Sequence, residues 1–244
     1  MEVFMNRIKK AIGYFSAAER ILWSASVFLI QFSFLIFDRE NYMTLFASLL
    51  GVTSLIFNAK GNPIGQFLMV IFSLLYGLIS CSFSYYGEMI TYLGMTMPMA
   101  VFALIAWLKN PYNGNKAEVK VNAIHKTEII FMWIMTAAVT IAFYFVLDYF
   151  DTANLLPSTV SVTTSFLAVY LTFRRSPYFA LAYAANDVVL ILLWIMASVC
   201  DAKYISVVVC FSAFLINDIY GFISWRKMKI RQRGYSSSPS ILER

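Results

Sequence analysis

Residues 169–191 read VYLTFRRSPYFALAYAANDVVLI: an apolar run, two arginines, a proline, then a second apolar run broken by Asn186-Asp187. Residues 55–77, LIFNAKGNPIGQFLMVIFSLLYG, follow the same plan, with an apolar helix, a short basic loop, a proline and a new helix. Pro63 and Pro177 correspond at an offset of 114. Farther on, MAVFALIAWLKN (99–110) pairs with NDIYGFISWRKM (217–228), and Trp107-Leu108-Lys109 corresponds to Trp225-Arg226-Lys227 at an offset of 118. A four-residue insertion in the turn before the third helix reconciles the two offsets. The sequence is therefore expected to hold one three-helix unit twice.

The medium of those helices follows from composition. The chain is 60% hydrophobic and 13% charged, with a mean hydropathy of +0.70. Soluble domains carry roughly 25% charged residues, so this chain lacks the charge to cover a surface in water. A membrane-spanning helix needs ~20 mostly apolar residues. Eight spans are predicted, at about 20–37, 41–57, 62–82, 85–107, 127–148, 154–173, 177–199 and 203–225. Continuous rather than alternating apolar runs argue against a β-barrel. Three helices leave the chain on the opposite side of the membrane, so one more must return it before a like-oriented copy can begin. The predicted fold is an all-α integral membrane protein: eight transmembrane helices, a 3+1+3 duplicated core and one N-terminal helix. Parallel repeats of this kind occur in transporters, with the solute site near midplane between the repeats.

Charge sets the expected orientation. Of the 19 Lys and Arg residues, 17 fall in the N-terminus, the Lys60 loop, the 108–126 loop, Arg174/Arg175 and the C-terminal tail, against Arg39 and Lys203 on the other side. The positive-inside rule then makes both termini cytoplasmic in a multi-pass protein of the cytoplasmic membrane. Arg7, Lys9 and Lys10 alternate with Phe4, Ile8 and Ile12 as in a surface amphipathic helix, and Ser16 to Glu19 fits a capping box. The predicted divisions are 1–40 (surface helix and extra span), 41–108 (first repeat), 109–150 (turn-rich loop and linker helix), 151–228 (second repeat) and 229–244 (basic disordered tail). Basic residues abutting a span read as a lipid-facing topology anchor rather than a nucleic-acid patch, so lipid and not nucleic acid is the expected partner. Cys81, Cys200 and Cys210 show no metal spacing, and His125 is the sole histidine. No metal, cofactor or catalytic residue is expected.

Of the 13 acids, only Asp187 and Asp218 fall well inside a span. An Asp at a helix centre costs roughly 2.5–3.5 kcal/mol on insertion, and such residues usually face a cavity and serve function. Tyr183, Asp187, Leu190 and Trp194 share one helical face. Asn217 and Asp218 point about 100° apart. Candidate solute-binding residues are Asp187, Asn186, Tyr183, Asn217 and Trp194 from the second unit, with Gln66, Tyr76 and Thr91 from the first. Tyr92 and Thr96 are further polar counterparts, and Pro98 is expected to kink its helix. The competing reading is that Asn and Asp only join helices by hydrogen bonds. Trp23 and Trp225 read as interfacial belt residues. A membrane aspartyl protease would need Gly-x-Gly-Asp, but Ala185-Asn186-Asp187 and Ile216-Asn217-Asp218 lack it. A sensor or docking partner is the remaining alternative to a carrier.

The duplicated unit, the linker helix, and the endings AIAWLKNP and NDIYGFISW resemble the PnuC family of bacterial vitamin transporters, over roughly residues 41–228. The resemblance implies uptake of nicotinamide riboside by facilitated diffusion, trapping by a cytoplasmic kinase, and a homotrimer. The family's W-x-x-W-x-x-x-N motif falls on Ala180, Tyr183 and Asp187, with Asn186 beside the expected Asn and both Trp absent. Asn217 matches a family Asn. Relatives carry thiamine, riboflavin or deoxynucleosides. Nicotinamide riboside is a pyridinium cation, which a carboxylate and an aromatic face attract in low dielectric. Thiamine would suit Asp187 equally, whereas neutral riboflavin suits it less. On this reading Asp187→Ala is expected to impair uptake more than Asp218→Ala.

Overall fold

The structure, a computed structural model, describes residues 13–82, 86–152 and 154–236. Eight helices are long and apolar enough to cross a membrane: α1 (Ala17–Phe37), α2 (Tyr42–Ala59), α3 (Pro63–Ser82), α4 (Tyr86–Leu108), α5 (Lys126–Tyr149), α6 (Leu155–Phe173), α7 (Phe179–Ser198) and α8 (Ile205–Ser236). They fall on the eight predicted spans. The proposed surface helix around Phe4–Ile12 and the tail beyond residue 236 lie outside the described residues.

Six helices close a ring in the order α2, α3, α4, α6, α7, α8 and back to α2. Helix α1 packs outside it against α8 and α2, and α5 against α6. The largest buried cluster lies inside the ring, with Val52, Met69, Phe72, Tyr76, Leu190, Trp194, Phe211 and Phe214 among its members. Helix α5 has the highest hydropathy of the eight, and only 11% of its apolar window is buried within the chain. That suits a helix surrounded by lipid or by other subunits.

Local chemistry places the helix ends. Ser16 Oγ accepts from Glu19 N–H while the Glu19 carboxylate accepts from Ser16 N–H, the expected capping box. Helices α2 and α6 end alike. Gly61 (φ 67°) and Arg175 (φ 55°) take the left-handed conformation. Gly61 N–H donates to Asn58 O and Asn62 N–H to Phe57 O, and Arg175 N–H to Thr172 O and Ser176 N–H to Leu171 O. These are the two bonds of a Schellman cap. Asn62 Oδ1 then accepts from Ile64 N–H, and Ser176 Oγ from Tyr178 N–H. The basic loops gather at one end of the bundle, tied by Asn122 N–H to Arg175 O, Tyr14 OH to Ala117 O and Val121 N–H to Gln232 Oε1.

Three expectations change here. The 108–126 connection contains a hairpin, β1 (Pro111–Tyr112) with β2 (Asn115–Val119). Its turn is Asn113-Gly114, both at positive φ, the choice a two-residue hairpin loop requires. Residues 229–236 are helix rather than disordered tail. Gln232 is buried there, with its amide donating to Glu118 and Val119 O, and Arg231 pairs with Glu118, so the hairpin holds the extra turns. Trp225 is fully buried rather than an interfacial belt residue, whereas Trp23 is exposed as expected. Pro98 lacks an N–H and crowds the carbonyl one turn before it. Helix α4 accommodates this with a π-helical segment at Thr91–Thr96, where Met97 N–H donates to Tyr92 O. Such π turns are frequent at functional sites.

Candidate functional site

The interior of the ring holds an acidic centre. Asp187 on α7 and Asp218 on α8 are both buried, and their carboxyls lie close enough to interact directly. Tyr92 on the π segment of α4, Tyr183 on α7 and Cys210 on α8 lie within electrostatic range of Asp187. Asp187 Oδ2 has no hydrogen-bond partner among the described residues. The ion pairs there are Lys60–Glu19, Arg174–Glu128, Lys203–Asp201 and Arg231–Glu118, so none neutralises the centre. A carboxyl pair lacking basic partners beside two tyrosine rings is suited to a cation with an aromatic body.

Aromatic rings of α3, α4 and α8 cluster together. Tyr76 packs on Tyr92 with ring centroids 4.6 Å apart and on Phe72 at 5.5 Å, and Phe211 lies 6.4 Å from Tyr76. Thr91 Oγ1 donates to Gly87 O at 2.9 Å and Thr96 Oγ1 to Thr91 O at 3.2 Å, so both hydroxyls stitch the π segment. Trp194 is buried and packs on Tyr204 at 5.3 Å.

Several sequence candidates are engaged elsewhere. Asn186 Oδ1 accepts from Ser161, Thr164 and Ser165 of α6, a junction between helices. Asn217 donates to Ser26 Oγ of α1 at 2.8 Å and to Ala213 O, so its amide faces the peripheral helix. Gln66 donates to Asn58 Oδ1 at 2.8 Å, and Asn58 to Ser54 Oγ, within the α2–α3 contact. The structure thus brings together Asp187, Tyr183 and Tyr76, with Thr91 and Trp194 nearby, and separates Asn186, Asn217 and Gln66 from them. Asp218, which is not among the candidates drawn from sequence, lies beside Asp187. The sequence reading also passed over Glu88, on the first turn of α4, because it lies near a span end.

Two cavities approach this centre from the end opposite the basic loops. A vestibule of about 410 Å³ is lined by Tyr86, Glu88, Asn154, Ser158, Trp194 and Tyr204, among others. A narrower cavity of about 40 Å³ lies against Glu88, Thr91, Tyr92, Ser161, Ser165 and Leu190. Gly87, Glu88, Thr152, Ser158 and Leu193 border both.

Toward the basic end three aromatic rings pack together. Trp107, Phe179 and Trp225 are 0–1% exposed, with centroids 5.3 Å apart for the two Trp and 4.8 Å for Phe179–Trp225. Trp107 Nε1–H donates to Thr172 O at 2.9 Å, and Trp225 Nε1–H to Asn58 O at 2.7 Å. A separate cavity of about 500 Å³ on this side is lined by Tyr14, Glu19, Lys60, Glu118, Lys227 and Arg231, among others.

Comparison with known proteins agrees with this architecture. The family model described as Nicotinamide mononucleotide transporter matches residues 41–227. The nicotinamide riboside transporter PnuC of Neisseria mucosa is 26% identical over 220 residues, spanning 87% of this chain and 82% of that protein. Its counterpart from Haemophilus influenzae is 21% identical over 213 residues, spanning 85% and 89%. A crystal structure of the vitamin B3 transporter PnuC shares the fold, with a TM-score of 0.77, 21% identity and coverage of 89% and 94% of the two chains.

Proposed function

The chain belongs to the nicotinamide mononucleotide transporter family, and we propose that it carries nicotinamide riboside across the cytoplasmic membrane. The observation that carries this reading is the Asp187–Asp218 pair, buried within electrostatic range of Tyr92 and Tyr183 with no Lys or Arg paired to it among the described residues. A pyridinium ring would meet both a negative charge and aromatic faces there. The sugar would lie toward the hydroxyl-bearing walls of α4 and α6. Transport is by facilitated diffusion, with a cytoplasmic kinase trapping the product, and the carrier acts as a homotrimer with both termini cytoplasmic.

We also infer that 41–108 and 151–228 are two copies of one unit about an axis along the membrane normal. The ring order supports it: α4 ends the first unit against α6, and α8 ends the second against α2. The tryptophan bonds support it more sharply. Trp107 of the first unit reaches Thr172 of the second, and Trp225 reaches Asn58, the residue matching Thr172 at the offset of 114. The two Schellman caps obey the same offset.

The test is binding of radiolabelled nicotinamide riboside to purified protein, beside thiamine and a deoxynucleoside. Saturable binding of nicotinamide riboside, lost in Asp187→Asn, is expected. Tight thiamine or deoxynucleoside binding without nicotinamide riboside binding would replace the substrate and keep the carrier.

A further inference from the structure

We propose that Glu88 is an outer station for the cationic ring of the carried solute, met in the vestibule before the Asp187–Asp218 pair. The inference rests on the cation reading above. Glu88 borders both the vestibule and the narrower cavity, so it sits where one leads into the other. Its carboxylate accepts a long hydrogen bond from Ser80 Oγ, at 3.4 Å. None of the four ion pairs among the described residues involves it. An acid within a span that lacks a counter-charge is costly unless it faces water or a ligand.

The surroundings specify the ligand's chemistry. Trp194 and Tyr204, with rings 5.3 Å apart, and Tyr86 and Phe150, at 6.0 Å, line the same vestibule. A carboxylate among aromatic faces attracts an organic cation and gives a neutral ring of the same shape only its stacking. The onward path is marked too. Tyr92 follows Glu88 by four residues on α4 and lies within electrostatic range of both Glu88 and Asp187. A ring leaving Glu88 meets Tyr92 and then the central pair.

The plain alternative is that Glu88 complements the N-terminal dipole of α4, since it lies in its first turn. That role would affect stability and would not discriminate between charged and neutral ligands. The measurement that separates the two is quenching of Trp194 fluorescence in the full-length protein, taken as the difference from Trp194→Phe. The probes are 1-methylnicotinamide, a cation, and nicotinamide, its neutral relative. Wild-type protein should respond to the cation at a concentration about tenfold lower than to the neutral ring. Glu88→Gln should remove that difference, and Glu88→Asp should keep most of it. In uptake assays Glu88→Gln should raise the nicotinamide riboside KM about tenfold with little change in kcat.

Equal quenching of the wild-type protein by both probes would overturn the proposal, whether or not the Gln variant folds. So would equal shifts for both probes in Glu88→Gln. Charge-selective quenching in a protein that takes up no nicotinamide riboside would support the station and overturn the substrate reading instead.

Discussion

Asp187 and Asp218 belong to one unit, because each is the other's nearest acidic partner in an interior without basic residues paired to them. The sequence reading ranked Asp187 above Asp218. Their contact argues for equality: Asp187→Asn and Asp218→Asn should each lower nicotinamide riboside uptake by about tenfold or more, and the double variant should be little worse than either. Residues in direct contact fail to add in this way, and a multiplicative loss in the double variant would show two independent sites. Asp187 was legible from sequence because an acid in mid-span is expensive. Asn217 and Asp218 could not be ranked from sequence, because neighbouring residues on a helix diverge by about 100°, and one sequence does not say which of them faces inward. Glu88 was missed because acids near span ends are ordinary. A second prediction concerns Arg175, which takes the left-handed conformation that Gly61 takes in the matching turn. That conformation costs a side-chain-bearing residue about 1–2 kcal/mol. Its guanidinium Nε and Nη1 are also buried without partners, and burial with Arg174 beside it lowers its pKa. Arg175→Gly should therefore raise the Tm in detergent, and a lower Tm would mean that the guanidinium makes a compensating interaction.

Helix spans were the most legible elements, since hydropathy and the need for ~20 apolar residues leave little freedom. The π segment of α4 was not, because Pro98 demands relief without specifying its form. The hairpin was half visible: Asn113-Gly114 marks a turn, but its strands are too short for a periodic signal. Close helix contact is set by small residues, as is usual in membranes. A Cβ on Gly65 would sit 2.2 Å from Asn58 Oδ1 and 2.7 Å from Asn58 N. The second atom is backbone and cannot swing away, so α2 and α3 would have to part. Gly65→Ala should destabilise the protein by about 1–3 kcal/mol, in the range of overpacked cores, as read by thermal unfolding. It should also disturb the acceptor that holds Gln66. The two tryptophans give a matched pair of variants. Trp107→Phe and Trp225→Phe each remove one hydrogen bond, worth about 1 kcal/mol, from places that the two-unit reading makes equivalent. Their losses in stability should agree closely, and a large inequality would count against the two-unit reading.

At the scale of the molecule, a vestibule bordered by Glu88 lies opposite the basic loops, and the solute proposed to pass between the two ends carries one positive charge. That charge decides how facilitated diffusion should look. If Glu88, Asp187 and Asp218 stay fixed on their helices and only the solute crosses, each event moves one net charge. A membrane potential then acts directly on the distribution, by about 2.3 kcal/mol per 100 mV, which is about a 50-fold concentration ratio since 1.4 kcal/mol is tenfold. In sealed vesicles with purified protein, nicotinamide riboside should accumulate when the interior is made negative by potassium efflux through valinomycin. It should only equilibrate when the potential is zero. A pH gradient imposed at zero potential should change nothing. If the carboxyl pair instead returned a proton for each cation carried, the exchange would be electroneutral. The pH gradient would then drive accumulation and the potential would not. The outcome separates a passive path for a cation from a proton-coupled carrier, a distinction the three acids of the interior make physically open.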